Sequence, residues 1–272
     1  MLEPLRLFAV ALRFLTRLPL PPVRFGPDDL RRALVLFPLV GAVVAGVGIG
    51  LRAALEPLWG TGVATVAALA AMIAVTGALH EDGLADTADG LWGGWDPARR
   101  LEIMRDSRIG TYGTVTLIAV LGLRAGLLLP LGLADFARAV ACGQVLGEAS
   151  TLLLVRLLPA ATATPTGERV ELAAPTAEGE PARPGLGAAV VGPISLRGVL
   201  AAVVVVALTL LLATAAWAAV PLAAGLLVCL LCAGLFRRRL GGLTGDTLGA
   251  ASQLVDLATI AAVAALARAG LL

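Results

Sequence analysis

The sequence predicts an all-α protein: a polytopic integral membrane helix bundle with about seven transmembrane helices and an N-terminal amphipathic helix. Of the 272 residues, 58% are hydrophobic and only 15% are charged, and the mean hydropathy is +0.92. Several uncharged runs reach roughly 20 residues, the length that crosses a bilayer. The net charge of +2 is too small to indicate nucleic-acid binding, and three Cys do not indicate a disulfide framework. We therefore expect residues 1–272 to form a single domain whose main partner is the lipid bilayer.

The N-terminal segment, residues 1–32, is predicted to be amphipathic rather than to cross the membrane. Apolar residues share one face of a helix over 3–18 and arginines share another: Leu5, Phe8, Ala9, Leu12 and Leu15 against Arg6, Arg13 and Arg17. Three prolines, at 19, 21 and 22, end this helix. The pattern favours a helix lying in the membrane interface.

The apolar runs that follow predict the transmembrane helices by their length. They are 33–54, 58–80, 114–134, 137–157, 197–215, 218–236 and 247–268. Seven spans place the four Arg-rich segments on one side of the membrane, namely 1–32, 81–113, 158–196 and 237–247. The positive-inside rule makes that side cytoplasmic. The 159–193 stretch is rich in Pro, Ala, Gly, Thr and Glu, which favours a flexible connector over a lid that orders on substrate.

Polar residues inside the spans are expected to face the bundle interior. Arg124 and Glu148 interrupt the third and fourth spans at similar depths, so we predict that they form a structural ion pair, with a substrate contact as the alternative. In the last span a polar stripe at i, i+3, i+4 and i+7 points away from lipid: Gly249, Ser252, Gln253 and Asp256.

The 81–113 segment carries the strongest chemical signal. Asp82, Asp86 and Asp89 have helical spacing, which places three carboxylates on one face. Such carboxylates repel each other unless a cation lies between them, so the segment predicts a Mg²⁺ site at the mouth of the bundle. A solvated acidic loop is the ordinary alternative. His80, the only histidine, and Glu81 precede these acids, and His80 is either a satisfied interfacial residue or a general base or metal ligand.

Basic residues and glycines follow the acids and suit a diphosphate. Arg99, Arg100, Arg105 and Arg108 supply guanidinium groups for phosphate oxygens. The stretch 106–113 adds Ser107, Thr111 and glycines, including Gly110, whose backbone N–H groups could approach phosphate. A second Gly-rich loop, 241–247, contains Gly245, Asp246 and Thr247 and lies on the same predicted side.

These motifs resemble the adenosylcobinamide-GDP ribazoletransferase family, also called cobalamin synthase. The resemblance rests on five blocks in the family's order: 14–19, 37–41, 80–90, 102–111 and 242–250. It implies a bacterial inner-membrane enzyme with a cytoplasmic active site and Mg²⁺ as cofactor. The implied reaction joins adenosylcobinamide-GDP and α-ribazole, or its 5′-phosphate, to give adenosylcobalamin, or its 5′-phosphate, and GMP.

For a reaction of this kind we predict roles for individual residues. The three carboxylates Asp82, Asp86 and Asp89 would hold Mg²⁺, and Asp246 would hold metal or orient the nucleophile. Arg105 and Arg108 would clamp the diphosphate, beside Ser107, Gly110, Thr111, Gly245 and Thr247. His80 or Glu81 would act as the general base. The oligomeric state stays open.

Two other functions compete with this one. Asp86 and Asp89-Gly90 partly match the motif of CDP-alcohol phosphotransferases, and Asp82 with Asp86 is similar to an intramembrane prenyltransferase motif, although each match is incomplete. The other alternative is a magnesium transporter, because acids at a membrane mouth suit ion passage. The sequence shows no internal repeat of the kind typical of transporters.

Overall fold

The computed structural model describes residues 3–23, 26, 28–161, 192 and 194–272. Most of the 159–193 stretch lies outside these residues, and so do its predicted roles as connector or lid. The helices of the described part, numbered in chain order, are α1 Glu3–Leu15, α2 Asp29–Ala33, α3 Phe37–Thr76, α4 Leu79–Gly93, α5 Pro97–Ile103, α6 Thr111–Leu128, α7 Leu133–Leu157, α8 Leu196–Thr214, α9 Ala219–Leu240 and α10 Gly245–Arg268.

The predicted all-α membrane bundle is confirmed. In the described ranges no strand forms, and six helical stretches are long and apolar enough to cross a membrane: Asp29–Thr76, Thr111–Leu128, Leu133–Leu157, Leu196–Trp217, Ala219–Leu240 and Gly245–Arg268. The protein is therefore a multi-pass membrane protein. Six such stretches stand against the seven predicted spans. The first stretch is a hairpin with two arms, so the predicted number of seven holds approximately.

The hairpin turns at Gly60 in the middle of α3. Gly60 has φ 75° and ψ 167°, a backbone conformation that glycine adopts readily. Gly48 and Met72, each twelve residues from this turn, are in contact, which two antiparallel arms allow and a straight helix does not. The second arm ends at Thr76, and Gly77 follows in the left-handed conformation. The prediction from the apolar run 58–80 placed this end four residues later.

Several segments that connect the helices contact one another at one end of the bundle, here called the loop end. Leu243 donates from its backbone N–H to the Pro159 carbonyl over 2.8 Å, and Ala161 donates to the Leu243 carbonyl over 2.8 Å. Arg100, in the last turn of α5, donates to the Arg239 carbonyl at the end of α9 over 2.8 Å. The acidic segment, the start of the 158–196 segment and the 237–247 loop therefore share one end, as predicted.

Helix α1 has the predicted amphipathic character. Its buried residues are Val10, Ala11 and Leu15, which pack against α2 and α3, while Leu5 remains exposed. The helix ends at Leu15, before the prolines. At the opposite end of the bundle from the loop end, the fully buried Arg52 donates to the Leu131 carbonyl and lies over the Phe136 ring, which ties the first arm of α3 to the turn before α7.

Candidate active site

Helix α4 starts inside the bundle and runs antiparallel to the first turns of α10. Gly83 lies against the backbone of Asp246, whereas Gly249, one turn further into the bundle, lies against the backbone of His80. A Cβ atom at position 83 would lie 2.8 Å from the Asp246 carbonyl oxygen, which is too close for any residue but glycine. This close approach brings the acids of α4 next to the acid in the first turn of α10.

Three carboxylates lie near one another at the loop end, and we call Asp82, Asp86 and Asp246 the mouth cluster. Asp82 is exposed, and the other two are half-buried. Partial burial first, and then the charges of Asp82, Asp246 and Asp89, raise the pKa of Asp86 to about 7. Among the described residues no ion pair neutralises any of the three. The cluster therefore holds uncompensated negative charge.

Asp89 lies on α4 with Asp82 and Asp86, as predicted, but its carboxylate already accepts two hydrogen bonds. It accepts hydrogen bonds from the backbone N–H groups of Gly110, over 2.7 Å, and Gly113, over 2.9 Å. These N–H groups lie at the start of α6, where a helix has unpaired donors and favours a negative charge. Asp89 thus fixes α6 against α4. The expectation that the Gly110 N–H group binds phosphate is wrong for this arrangement, because that group donates to Asp89.

The two arginines predicted to bind diphosphate differ in their surroundings. Arg105 is exposed, forms no ion pair within the described residues, and its charge acts on Asp246. Arg108 forms an ion pair with Asp106, with nitrogen–oxygen distances of 2.6 and 3.0 Å, and this pairing lowers the pKa of Asp106 to about 2. Ser107 is exposed between them. Arg105 is the more available cation beside the mouth cluster.

His80 and Glu81 point away from the mouth and into the bundle. His80 Nε2 lies 2.6 Å from Glu148 Oε1 on α7, and Gln253 Nε2 on α10 donates to Glu81 Oε1 over 3.0 Å. All four residues are at most 9% exposed. The structure therefore favours His80 as a satisfied buried residue, and the expectation that His80 or Glu81 is the general base is not supported.

The predicted Arg124–Glu148 ion pair is wrong. Arg124 pairs with Asp256 on α10, with Nε 3.3 Å from Oδ2, and Gln144 Nε2 donates to Asp256 Oδ1 over 3.0 Å. Glu148 is taken by His80 instead. The prediction that the polar stripe of the last span faces the interior is confirmed, since Ser252, Gln253 and Asp256 are all buried. Asp256 from that stripe is the partner of Arg124, and similar depth in the membrane alone could not identify it.

The 241–247 loop serves to start α10. Thr244 and Thr247 form a reciprocal capping box, in which each backbone N–H group donates to the hydroxyl of the other residue, over 2.9 and 3.1 Å. Because the Thr247 side chain is fully buried in this cap, it is not positioned to bind substrate. Gly245 is the first residue of α10, and Thr111 is the first residue of α6. Both lie at the loop end, near the acids.

In the described part of the chain, no three His, Cys, Asp or Glu side chains come together closely enough to enclose a metal by themselves. The mouth cluster nevertheless offers what Mg²⁺ prefers: few carboxylates, with room for water and phosphate oxygens. Glu148 and Gln253 are the site residues that sequence reasoning did not assign. The signal for them was present, as a charge and a polar stripe inside apolar spans, but their partners depend on helix packing.

The chain is similar to known proteins over nearly its whole length. The protein family described as cobalamin-5-phosphate synthase matches residues 7–264. A protein of Leptothrix cholodnii named adenosylcobinamide-GDP ribazoletransferase is 39% identical over 263 residues, covering 93% of this chain and 92% of that protein. A protein of the same name from Azorhizobium caulinodans is 40% identical over 271 residues, covering 95% of each. No solved structure matches the chain.

Proposed function

This chain belongs to the cobalamin-5-phosphate synthase family, and from that membership we propose that it is an adenosylcobinamide-GDP ribazoletransferase. It joins adenosylcobinamide-GDP to α-ribazole, or its 5′-phosphate, and releases GMP. In this reaction a ribose hydroxyl attacks the phosphorus attached to cobinamide. A new phosphorus–oxygen bond forms, the bond to the GMP phosphate oxygen breaks, and the hydroxyl proton passes to the departing GMP phosphate or to water.

The observation that carries the proposal is the mouth cluster beside Arg105. A diphosphate that is cleaved between its phosphorus atoms needs its negative charge neutralised at both phosphates. Carboxylates alone repel such a substrate, whereas carboxylates that hold a divalent cation attract it. Within the part of the chain that the structure describes, Asp82, Asp86 and Asp246 form no ion pair, which suits this role. Arg105 adds a permanent positive charge on the same side.

The residues present fit Mg²⁺. All three side chains of the mouth cluster offer oxygen atoms, and a cation relieves their mutual repulsion, which adds to partial burial in raising the pKa of Asp86. When bound, Mg²⁺ supplies neutralisation of the diphosphate charge that builds up as GMP departs. Asp82, Asp86 and Asp246 would hold it. Asp89 would act indirectly, because its carboxylate already fixes the start of α6.

The other steps fall to this chain's own groups. Arg105 binds a phosphate oxygen and holds the diphosphate against the mouth cluster. The α4–α10 contact at Gly83 fixes the distance between Asp82 and Asp246. Positioning of the hydroxyl and the phosphorus, rather than covalent chemistry by the protein, supplies most of the rate increase in such a transfer.

We further propose that the loop end faces the cytoplasm at the bacterial inner membrane. The support is the arginine content of the segments at that end. Cysteine labelling in intact cells tests this with three exposed positions in a variant lacking the buried native Cys142, Cys229 and Cys232. Arg99→Cys and Arg238→Cys should react only with reagents that cross the membrane, whereas Ala134→Cys, at the far end, should react from outside. Labelling of positions 99 and 238 from opposite sides would overturn the shared orientation.

The function itself is tested with the purified full-length protein in liposomes. Incubation with adenosylcobinamide-GDP, α-ribazole and Mg²⁺ should release GMP, and chelation by EDTA should stop the release. Release of CMP from CDP-alcohol substrates, or of diphosphate from prenyl substrates, would favour the rival membrane transferases. Mg²⁺ flux into the liposomes without any turnover would favour a transporter.

A further inference from the structure

We propose that Glu148 and Gln253 are positioning residues for the mouth cluster, holding α4 from inside the bundle so that Asp82 stays next to Asp246. This inference rests on the proposed function, because it assumes that the mouth cluster binds a divalent cation. Neither residue contacts the mouth. They act through His80 and Glu81, the two residues that immediately precede Asp82 in the same helix.

The two hydrogen bonds fix the rotation of α4. Successive residues of an α-helix point about 100° apart, since 3.6 residues complete a turn. His80 therefore reaches α7, through Glu148, while Glu81 reaches α10, through Gln253. A helix held at two adjacent positions by two different neighbours cannot turn about its axis without breaking one of the bonds. The direction of the next side chain, Asp82, is set by the same rotation.

Apolar packing alone would not fix α4 in this way. Its contact with α10 is built on Gly83 and Gly249, which lie directly against backbone atoms of the opposite helix. Glycine contacts allow close approach but provide no interlocking side chains to oppose rotation or sliding. Hydrogen bonds are directional, so the two buried pairs constrain α4 at its first turn, next to Asp82, whereas Asp89 constrains it two turns further along through the start of α6. Their burial, at 9% exposure or less, keeps water from competing for them.

The bundle contains a matched control for these bonds. Gln144 on α7 donates to Asp256 on α10 over 3.0 Å, the same distance at which Gln253 donates to Glu81. Both are glutamine-to-carboxylate bonds between helices, but only the second reaches α4. Gln144→Leu should therefore destabilise the bundle without moving the mouth cluster. Gln253→Leu should destabilise the bundle and also move the mouth cluster.

The test uses Mn²⁺ alone as a probe of the mouth cluster, with the purified full-length protein and electron paramagnetic resonance to count bound ion. Residues that orient metal ligands typically change metal affinity by about 10-fold or more. Gln253→Leu should weaken Mn²⁺ binding by about 10-fold, and Gln144→Leu should leave it as in the wild type. Thermal unfolding of each variant checks that both remain folded.

Glu148 provides a second, conservative comparison. Glu148→Gln keeps an oxygen that can accept a hydrogen bond from His80, whereas Glu148→Leu removes it. The Gln variant should retain most of the Mn²⁺ affinity that the Leu variant loses. A positioning role predicts this rescue, and a purely structural role predicts loss of stability with unchanged affinity.

Several results would overturn the proposal. These are Mn²⁺ affinity unchanged in Gln253→Leu and Glu148→Leu, an equal loss in Gln144→Leu, or no Mn²⁺ binding by the wild type. Because the Mn²⁺ measurement contains neither substrate of the transferase, a failed transferase assay would not count for or against the positioning role. An enzyme that binds Mn²⁺ as expected but releases no GMP would contradict the proposed function and leave the positioning role supported.

Discussion

Two groups of three carboxylates lie within a few turns of each other and have opposite surroundings. The mouth cluster of Asp82, Asp86 and Asp246 forms no ion pair within the described residues, and each of its members is at least partly exposed to water. The interior group of Glu81, Glu148 and Asp256 is buried, and each member has a partner on another helix, namely Gln253, His80, and Arg124 with Gln144. Glu81 and Asp82 belong to different groups although they are adjacent in the chain.

The difference shows how surroundings separate structural acids from chemical ones. A carboxylate inside an apolar bundle needs a partner, because an unpaired buried charge costs several kcal/mol. At the loop end water lowers that cost, so an unpaired carboxylate can be kept available for a ligand. The lack of partners at the mouth therefore indicates function more strongly than the number of acids does. Each prediction below changes one side of this comparison.

The largest effect is expected from removing charge at the mouth. Asp246→Asn keeps the side-chain shape but removes a charge that the diphosphate and its cation require. GMP release should fall on the order of 100-fold or more, with unchanged expression and thermal stability. Asp135→Asn is the control, because Asp135 lies at the far end and, among the described residues, pairs only with Arg138. Full activity of Asp246→Asn at saturating Mg²⁺ would remove Asp246 from the site.

The interior pair should affect stability instead. Arg124→Leu or Asp256→Leu alone leaves one buried charge unpaired, which costs about 3–5 kcal/mol. The double variant should be less destabilised than either single variant, since no unpaired charge remains. Thermal unfolding in detergent measures all three. Strictly additive losses would show that the two side chains do not stabilise each other.

Sequence and structure differ most over this interior group. Hydrophobic run length was enough to predict the membrane bundle, and helical spacing was enough to predict that Asp82, Asp86 and Asp89 lie on one helix. The partner of Arg124 was not predictable in the same way, because Asp256 follows it by 132 residues and meets it only through helix packing. Glycines at 143 and 147 lie against Asp256 and Ser252 and let α7 approach α10, which places Asp256 within reach.

The mouth was also only partly predictable. Its composition followed from the acidic and Gly-rich segments, which identified Asp82, Asp86 and Asp246. The role of Asp89 did not, because its binding to the start of α6 depends on a contact between segments 21 to 24 residues apart. Likewise, local sequence gave no reason for His80 and Glu81 to point inward while Asp82 points to the mouth.

A smaller effect is expected from widening the contact between the two helices. In Gly83→Ala, the new Cβ would lie 2.8 Å from the Asp246 carbonyl oxygen and 3.0 Å from its Cα, so α10 must move. Overpacking of this kind costs about 1–3 kcal/mol, and turnover should fall because Asp82 and Asp246 separate. Gly46→Ala is the control, since in the described part of the chain a Cβ there would have no atom within 4 Å apart from its chain neighbours and its own helix backbone. Equal behaviour of the two variants would show that close approach at Gly83 is unimportant.

The smallest effect concerns pH and Asp86. Since the folded protein raises the pKa of Asp86 to about 7 from an ordinary 3.8, the folded state keeps a proton that the unfolded state releases between these values. Stability without Mg²⁺ should therefore fall as pH rises through this window. Mg²⁺ should oppose the fall above pH 7 by replacing the proton. Asp86→Asn should flatten the profile, and an unchanged slope in that variant would contradict this assignment.

The most direct test makes the same chemical change in both groups. GMP release per folded molecule, at saturating substrates and over a range of Mg²⁺, is measured for Asp82→Asn and Asp256→Asn, with thermal stability recorded for each. The account predicts that Asp82→Asn loses turnover but keeps its stability, whereas Asp256→Asn loses stability but keeps its turnover per folded molecule. Near-normal Mg²⁺-dependent turnover in Asp82→Asn, or equal loss of turnover in both variants, would contradict it.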